Sequence, residues 1–176
     1  MTGLSWAGRR HRRTRDPDQW PPEEVQVMGH DDGITVLVVD DQPIYHEMVR
    51  RIFADQADIS VVAVADTVSE AVDQARAHQP DVVLMDQQLP DGRGTDAARR
   101  IQGVIRNVRV VMVTATADDR TLTDARKAGC AGYVLKDRLV HDLVGAVRAA
   151  HRGESALPDH SVDLFLMPLV DEDVPI

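Results

Sequence analysis

The sequence is poor in several things, and each shortage narrows the reading. Aromatic residues make up only 3% of the chain, as two Phe, two Trp and two Tyr. A core must therefore be aliphatic, built from Val, Ala, Leu and Ile, and the 43% of hydrophobic residues are enough to build one. There is a single cysteine, Cys130, which excludes an internal disulfide framework and makes a reducing cytoplasm the expected setting. Flanked by Gly129 and Ala131, Cys130 reads as a small packed residue rather than a nucleophile. No apolar run approaches the ~18–20 residues needed to span a membrane. The N-terminus also lacks the apolar segment of a secretion signal, so no membrane contact is expected. Basic residues are missing after Arg152, and the net charge of −9 argues against nucleic acid as a partner. One basic cluster stands apart: Arg9, Arg10, Arg12, Arg13 and Arg15. Its plainest reading is a solvated arm, with contact to nucleic acid or an acidic surface as the alternative.

What is present is a regular alternation. Residues 1–32, interrupted by Pro17, Pro21 and Pro22, follow neither helix nor strand period and read as a flexible Arg/Pro-rich arm, leaving Trp6 and Trp20 outside any core. Ile34 to Val39 is then an aliphatic strand, and Pro43 opens a helix carrying Ile44, Tyr45, Met48, Val49, Ile52 and Phe53 at three- and four-residue spacing. Ile59 to Ala65 is a second strand, and Val68 to His78 a helix that Pro80 stops. Val82 to Met85 runs into Asp86 as a third strand, followed by a helix over Thr95 to Arg106. Val108 to Val113, ending at Thr114, is a fourth strand. A polar helix over Asp119 to Ala128 follows, buried only through Leu122, Ala125 and Ala128 and closed by Gly129. Ala131 to Leu135 is a fifth strand, and a helix over Asp137 to Arg152 is closed by Gly153. Strands alternating with helices predict right-handed crossovers and a parallel sheet covered by helices on both faces. Residues 154–176 read as a linker-like acidic tail, with a short amphipathic helix over Ser161 to Met167.

The stretch DVVLMDQQLPDGRG, Asp81 to Gly94, organises the rest. Its unbroken apolar run marks a strand buried on both faces, and such sheets bind ligands beyond the carboxyl ends of their strands. Asp86 sits at that end. So do Asp40 and Asp41 on the first strand, Thr114 on the fourth and Lys136 on the fifth. A parallel sheet brings all five to one edge. Ordinary strand-end caps and a solvated lysine would be the bland account, but it does not explain why all five fall together. Carboxylates crowded in this way repel one another, and a hard divalent cation such as Mg2+ relieves the repulsion. A lysine adds a point charge and a threonine a hydroxyl for phosphoryl oxygens. Nucleophile, cation, lysine and hydroxyl are together what an aspartyl phosphate requires.

With these residues in place, Ile34 to Gly153 resembles a response-regulator receiver domain, the CheY-like fold of two-component signalling. The wording QPDVVLMD and AGYVLKD is most similar to the NarL type. The resemblance implies a five-stranded parallel sheet in the order 2-1-3-4-5 with helices on both faces, and a receiver over residues 33–153. It implies that Asp86 is the phosphoacceptor, assisted by Lys136 and Thr114. It further implies that Mg2+ is held by Asp40, Asp41, Asp86 and the backbone carbonyl of Gln88, and that Thr114 and Tyr133 form the switch. The implied partners are a histidine kinase and, through the fourth helix, fifth strand and fifth helix, a downstream protein or a second copy.

The sequence also departs from the pattern. Asp137 follows Lys136 where other branches carry proline, and Gln87-Gln88 follow Asp86, with Gln88 placed to influence the lifetime of a phosphorylated state. NarL-type regulators carry a C-terminal helix-turn-helix, for which the residues after Gly153 are too few. The expectation is therefore a phosphorylation-dependent switch, not an enzyme, without specific DNA binding by this chain alone. A truncated NarL-type DNA-binding regulator is the alternative. An aspartyl-phosphate phosphatase is disfavoured, because Gln88 stands where such enzymes commonly place a second acid.

Overall fold

A computed structural model describes residues 33–115 and 118–155. Five strands, β1 (Ile34–Val39), β2 (Ile59–Ala65), β3 (Val82–Asp86), β4 (Arg109–Thr114) and β5 (Gly132–Leu135), form one sheet in the order β2-β1-β3-β4-β5. Every neighbouring pair is parallel, with Val39 opposite Met85, Met85 opposite Met112, and Met112 opposite Tyr133. This is the 2-1-3-4-5 order. The direction of winding reverses between β1 and β3, which opens a crevice at their carboxyl ends.

Five helices cover the sheet: α1 (Pro43–Ala54), α2 (Val68–His78), α3 (Gly94–Val104), α4 (Asp119–Lys127) and α5 (Leu139–His151). They explain why β3 shows no alternation. Val83 and Met85 pack into one aliphatic layer with Ala71 and Val72 of α2, Ile101 of α3, and Leu122 of α4. Val82 and Leu84 pack into a second layer with Val49 and Phe53 of α1, and Leu143 and Val147 of α5. A strand with a core on each side has no polar face to show.

Local chemistry sets the helix ends. Pro43 lies at the start of α1, where its missing N–H costs nothing. Thr67 caps α2 by accepting from the Glu70 backbone N–H at 3.1 Å, while the Glu70 carboxylate accepts from the Asp66 backbone N–H at 2.9 Å. Gln79 ends α2 in the left-handed region, φ 46°, and Pro80 prevents continuation. Gly129 takes the same role after α4 at φ 74°.

Several boundaries differ from the sequence expectation. Helix α3 starts at Gly94 rather than Thr95 and stops at Val104 rather than Arg106. A single helix over Asp137 to Arg152 is replaced by a 3-10 turn, Lys136–Arg138, leading into α5. Strand β5 begins one residue later than expected, β4 includes Thr114, and α4 ends at Lys127. A two-residue antiparallel ribbon, Gln88–Leu89 against Gly92–Arg93, was not expected; it closes around the Pro90-Asp91 turn. The first residue of α3 must be glycine for a steric reason: a Cβ on Gly94 would fall onto the backbone carbonyl of Asp86. Cys130 is buried, and burial pushes its thiol up to about 12, as suits a packing residue. The Arg9 to Arg15 cluster, Trp6, Trp20 and the Ser161 to Met167 helix lie outside the described residues.

Candidate functional site

The carboxyl edge of the sheet gathers the polar residues. Asp40 follows directly on β1, β3 ends in Asp86, β4 ends in Thr114, and the turn after β5 begins with Lys136. Asp40, Asp86 and Thr114 are all buried, unusual for such groups unless they are partnered. Asp41 remains exposed at the mouth of the crevice.

Lys136 ties the group together. Its Nζ lies 2.7 Å from Asp40 Oδ2 and 3.2 Å from Asp86 Oδ2. The other oxygen of Asp40, Oδ1, accepts from the Gln42 backbone N–H at 2.9 Å, fixing that carboxylate to the start of α1. Asp40, Asp41 and Asp86 each offer an oxygen within 4.8 Å of the others. No other group of three or more such ligands lies so close among the described residues.

The charges do not balance. Three carboxylates face one ammonium. Burial raises the Asp86 pKa above the ordinary carboxylate range, the Asp40 charge adds to this, and Lys136 opposes it only in part. For Lys136, burial works against the charged form, but hydrogen bonds to Asp40 and Asp86 prevail and hold its proton more firmly than usual. A divalent cation would restore neutrality. The donor set suits a hard one, since every nearby ligand is oxygen and the exposed Asp41 leaves an approach from solvent.

The loop after Asp86 is held from three sides. Gly94 N–H donates to the Gln87 carbonyl at 3.0 Å. The Asp91 carboxylate accepts from the Val68 N–H at 2.6 Å and the Ser69 N–H at 3.1 Å, capping α2 from a distant segment. These bonds, the one from Val68 foremost, lower the Asp91 pKa. Arg93 reaches Asp124 of α4 at 3.6 Å. Gln88 sits in the ribbon with an exposed side chain.

Asp40, Asp41, Asp86, Thr114 and Lys136, read from the sequence as convergent, therefore share one edge. Tyr133 does not share it. It is 1% exposed in the α2–α3–α4 layer with Leu122 and Ala125. One contact escaped the sequence reading: the Lys136 Nζ lies 3.9 Å from the ring centroid of Tyr45. The only available signal was an aromatic in the first turn of α1, and its helical spacing merged it with the core-facing residues.

Comparison with known proteins agrees with this geometry. Residues 36–148 match the family model of the response regulator receiver domain. The chain is 36% identical over 124 residues to the transcriptional regulatory protein YxjL of Bacillus subtilis, covering 70% of this chain and 57% of that protein. It is 33% identical over 140 residues to the DNA-binding transcriptional activator DevR/DosR of Mycobacterium tuberculosis, covering 77% of this chain and 63% of the relative. The chain thus spans less than two thirds of each of these relatives. A LuxR-family response regulator from Aurantimonas superposes with a TM-score of 0.70 at 30% identity, over 76% of this chain and 95% of that one. The receiver domain of the response regulator assigned as NarL in Mycobacterium tuberculosis gives 0.67 at 30% identity, over 70% of this chain and all of that one. No helix among the described residues is long and apolar enough to cross a membrane. With its 2-1-3-4-5 sheet and its pocket of Asp40, Asp41 and Asp86, the chain belongs to the response-regulator receiver family of two-component signalling, related to LuxR- and NarL-type regulators.

Proposed function

We propose that this chain is a phosphorylation-dependent switch, in which Asp86 takes a phosphoryl group from a histidine kinase and the domain changes what it binds. The observation that carries this reading is the bridging of Asp40 and Asp86 by Lys136 within a cluster of three carboxylates. In the transfer, a carboxylate oxygen of Asp86 attacks phosphorus, the new P–O bond forms as the P–N bond to the donor histidine breaks, and the imidazole leaves. Lys136 sits closer to Asp40, at 2.7 Å, than to Asp86, at 3.2 Å, and the second oxygen of Asp40 is tied to the Gln42 N–H, so we assign the reaction to Asp86. Mg2+, when bound by Asp40, Asp41, Asp86 and the Gln88 carbonyl, supplies the positive charge that offsets the transferring group. We assign Asp41 and Asp86 the main share of that binding and Asp40 a part through water. Lys136 then pairs with a phosphoryl oxygen, and the Thr114 hydroxyl donates to another.

The signal leaves through the face of α4, β5 and α5 toward a downstream protein or a second copy. Helix α4 buries only Leu122 and Ala125, and the Arg93 side of its link to the loop after β3 is exposed. Thr114 lies at the end of β4, opposite Leu135 of β5, and Tyr133 lies beside α4 in the same layer. Because the Tyr133 ring is already buried, we locate the movable element in α4 rather than in the ring alone. A two-state element needs only a few kcal/mol of differential interaction to change its dominant population. We read residues 1–32 as an arm, 33–153 as the receiver and 154–176 as a tail. We place the exchange in the cytoplasm, as a switch rather than an enzyme, with no specific DNA recognition by this chain alone.

Acetyl phosphate, an acyl phosphate donor, tests this. Incubated with Mg2+, the parent gains one phosphoryl group by intact mass and Asp86→Asn gains none; equal adducts on both would remove Asp86 from its role. With beryllofluoride, amide shifts spread in the parent from Thr114 to residues 119–128 and Tyr133, and shrink in Thr114→Val while binding persists. Full persistence without the hydroxyl would contradict the coupling.

A further inference from the structure

The contact between Tyr45 and Lys136 has no part in the chemistry described above. Lys136 carries three N–H donors and spends two on Asp40 and Asp86. The third side of the ammonium faces the Tyr45 ring, 3.9 Å from its centroid. The Lys136 side chain is only 8% exposed, so this contact is desolvated, the condition under which a cation–π interaction counts most.

The ring's position is not incidental. Tyr45 sits in the first turn of α1, its N–H donating to the Gln42 carbonyl at 3.0 Å, while the Gln42 N–H donates to Asp40. Pro43 fixes the chain direction between them. The six residues Asp40 to Tyr45 thus deliver two carboxylates and the ring as one short unit. Further along, Val49 and Phe53 anchor α1 in the core beneath α5.

A π face and an oxygen hold an ammonium differently. An oxygen acceptor demands a narrow distance and angle, so a lysine that moves must break that bond. The face of a ring holds a cation broadly and accepts displacement across it at small cost. When a phosphoryl group arrives on Asp86, Nζ must leave its present bond to Asp86 Oδ2 for a phosphoryl oxygen. A third oxygen partner would resist that movement; a ring does not.

Resting on the reading of Asp86 as phosphoacceptor, we propose that Tyr45 is a positioning residue for the phosphoryl transfer. Its ring holds the Lys136 ammonium over the carboxylates and lets it slide onto the incoming phosphoryl group. The ring acts through the lysine.

The test separates ring from bulk. Phosphorylation by acetyl phosphate with Mg2+ is followed by intact mass in the parent, Tyr45→Phe, Tyr45→Leu and Tyr45→Met, across donor concentrations. The maximal rate in Tyr45→Phe stays within about twofold of the parent, because the π face remains. In Tyr45→Leu and Tyr45→Met it falls about tenfold, the equivalent of about 1.4 kcal/mol, while the half-saturating donor concentration and the Mg2+ affinity stay near parental values. A residue that merely packs against the α1–α5 layer would be replaced adequately by Leu or Met. Parental rates in either of those variants would overturn the proposal, and so would a loss in Tyr45→Phe as large as theirs. Should Leu unfold the domain, Met decides, because it is long and flexible enough to fill the same space. An unreactive parent would instead refute the reading of Asp86, which keeps the two failures apart.

Discussion

Two ion clusters lie at opposite ends of the sheet, and they obey different rules. At the amino edge, Arg148 near the end of α5 grips Asp58 before β2, with Nε 2.7 Å from Oδ2 and Nη2 2.6 Å from Oδ1. Nη2 also donates to Gln56 at 2.8 Å. One cation meets one anion in a bidentate fork, both are only partly buried, and the arginine's hydrogen bonds lower the Asp58 pKa. At the carboxyl edge one ammonium serves two buried carboxylates with a third nearby, and burial raises the Asp86 pKa. The first cluster is complete. The second is an unbalanced charge that only a further cation or a change in Asp86 can satisfy, which is the signature of a reactive site rather than a structural one.

The largest effect is expected at Gly94, behind the carboxyl-edge cluster. Gly94→Ala changes no charge but drives a Cβ into the Asp86 carbonyl, so the loss of stability is about 3 kcal/mol and the thermal midpoint falls by roughly 10 °C. Circular dichroism melts check this, and an unaltered midpoint would mean that α3 can shift away from β3.

Mg2+ distinguishes the two edges by the next largest effect. At tenfold excess over its dissociation constant it stabilises the parent by about 1.4 kcal/mol, through the carboxyl edge alone. The increment disappears in Asp41→Ala and survives in Asp58→Asn, as thermal melts across a Mg2+ titration would record.

Stability against pH then separates the clusters by sign. Asp86 has a raised pKa, so the fold favours its protonated form. Ionising it is a penalty that is absent below 3.8 and grows as pH rises through the folded value. Asp86→Asn without Mg2+ is therefore more stable than the parent at pH 7, by on the order of 1 kcal/mol, and the gain vanishes on acidification. Asp58 has a lowered pKa, so its contribution is present above 3.8 and is lost as pH falls through the folded value. Asp58→Asn is less stable at pH 7, and its deficit closes in acid. Denaturant midpoints from pH 7 downward measure both; matching signs would erase the distinction. The smallest effect is that of Arg148→Ala. It lowers stability slightly, the loss shrinks as salt is added, and phosphorylation of Asp86 is unaffected. A change in the phosphorylation rate would join the two edges.

Much of this was legible in the sequence, for particular reasons. The apolar run Val82 to Met85 declared a doubly covered strand, and a parallel sheet by itself places Asp40, Asp41, Asp86, Thr114 and Lys136 at one edge. Contacts that depend on tertiary packing were not legible. Arg148 and Asp58 lie 90 residues apart, and nothing local marks either as the other's partner. Tyr45 carried the period of a core residue, though its ring lies over a lysine from the far end of the domain. The ribbon of Gln88–Leu89 with Gly92–Arg93 is too short for a periodic signal. The 3-10 turn at Lys136–Arg138 replaced the first turn of the expected helix. It is the bend that takes Lys136 out of the strand while leaving its Nζ on Asp40. The Arg9 to Arg15 cluster and the tail are read from sequence alone.

Asp86, and not one of its acidic neighbours, is the residue we propose to receive the phosphoryl group. Borohydride reduces an acyl phosphate to the corresponding alcohol, so a phosphorylated aspartate is recovered as homoserine. The parent, treated with acetyl phosphate and Mg2+, then reduced and digested, should carry homoserine at position 86 and aspartate at positions 40 and 41 when its peptides are sequenced by mass spectrometry. Homoserine at position 40 or 41, with aspartate intact at 86, would contradict the account.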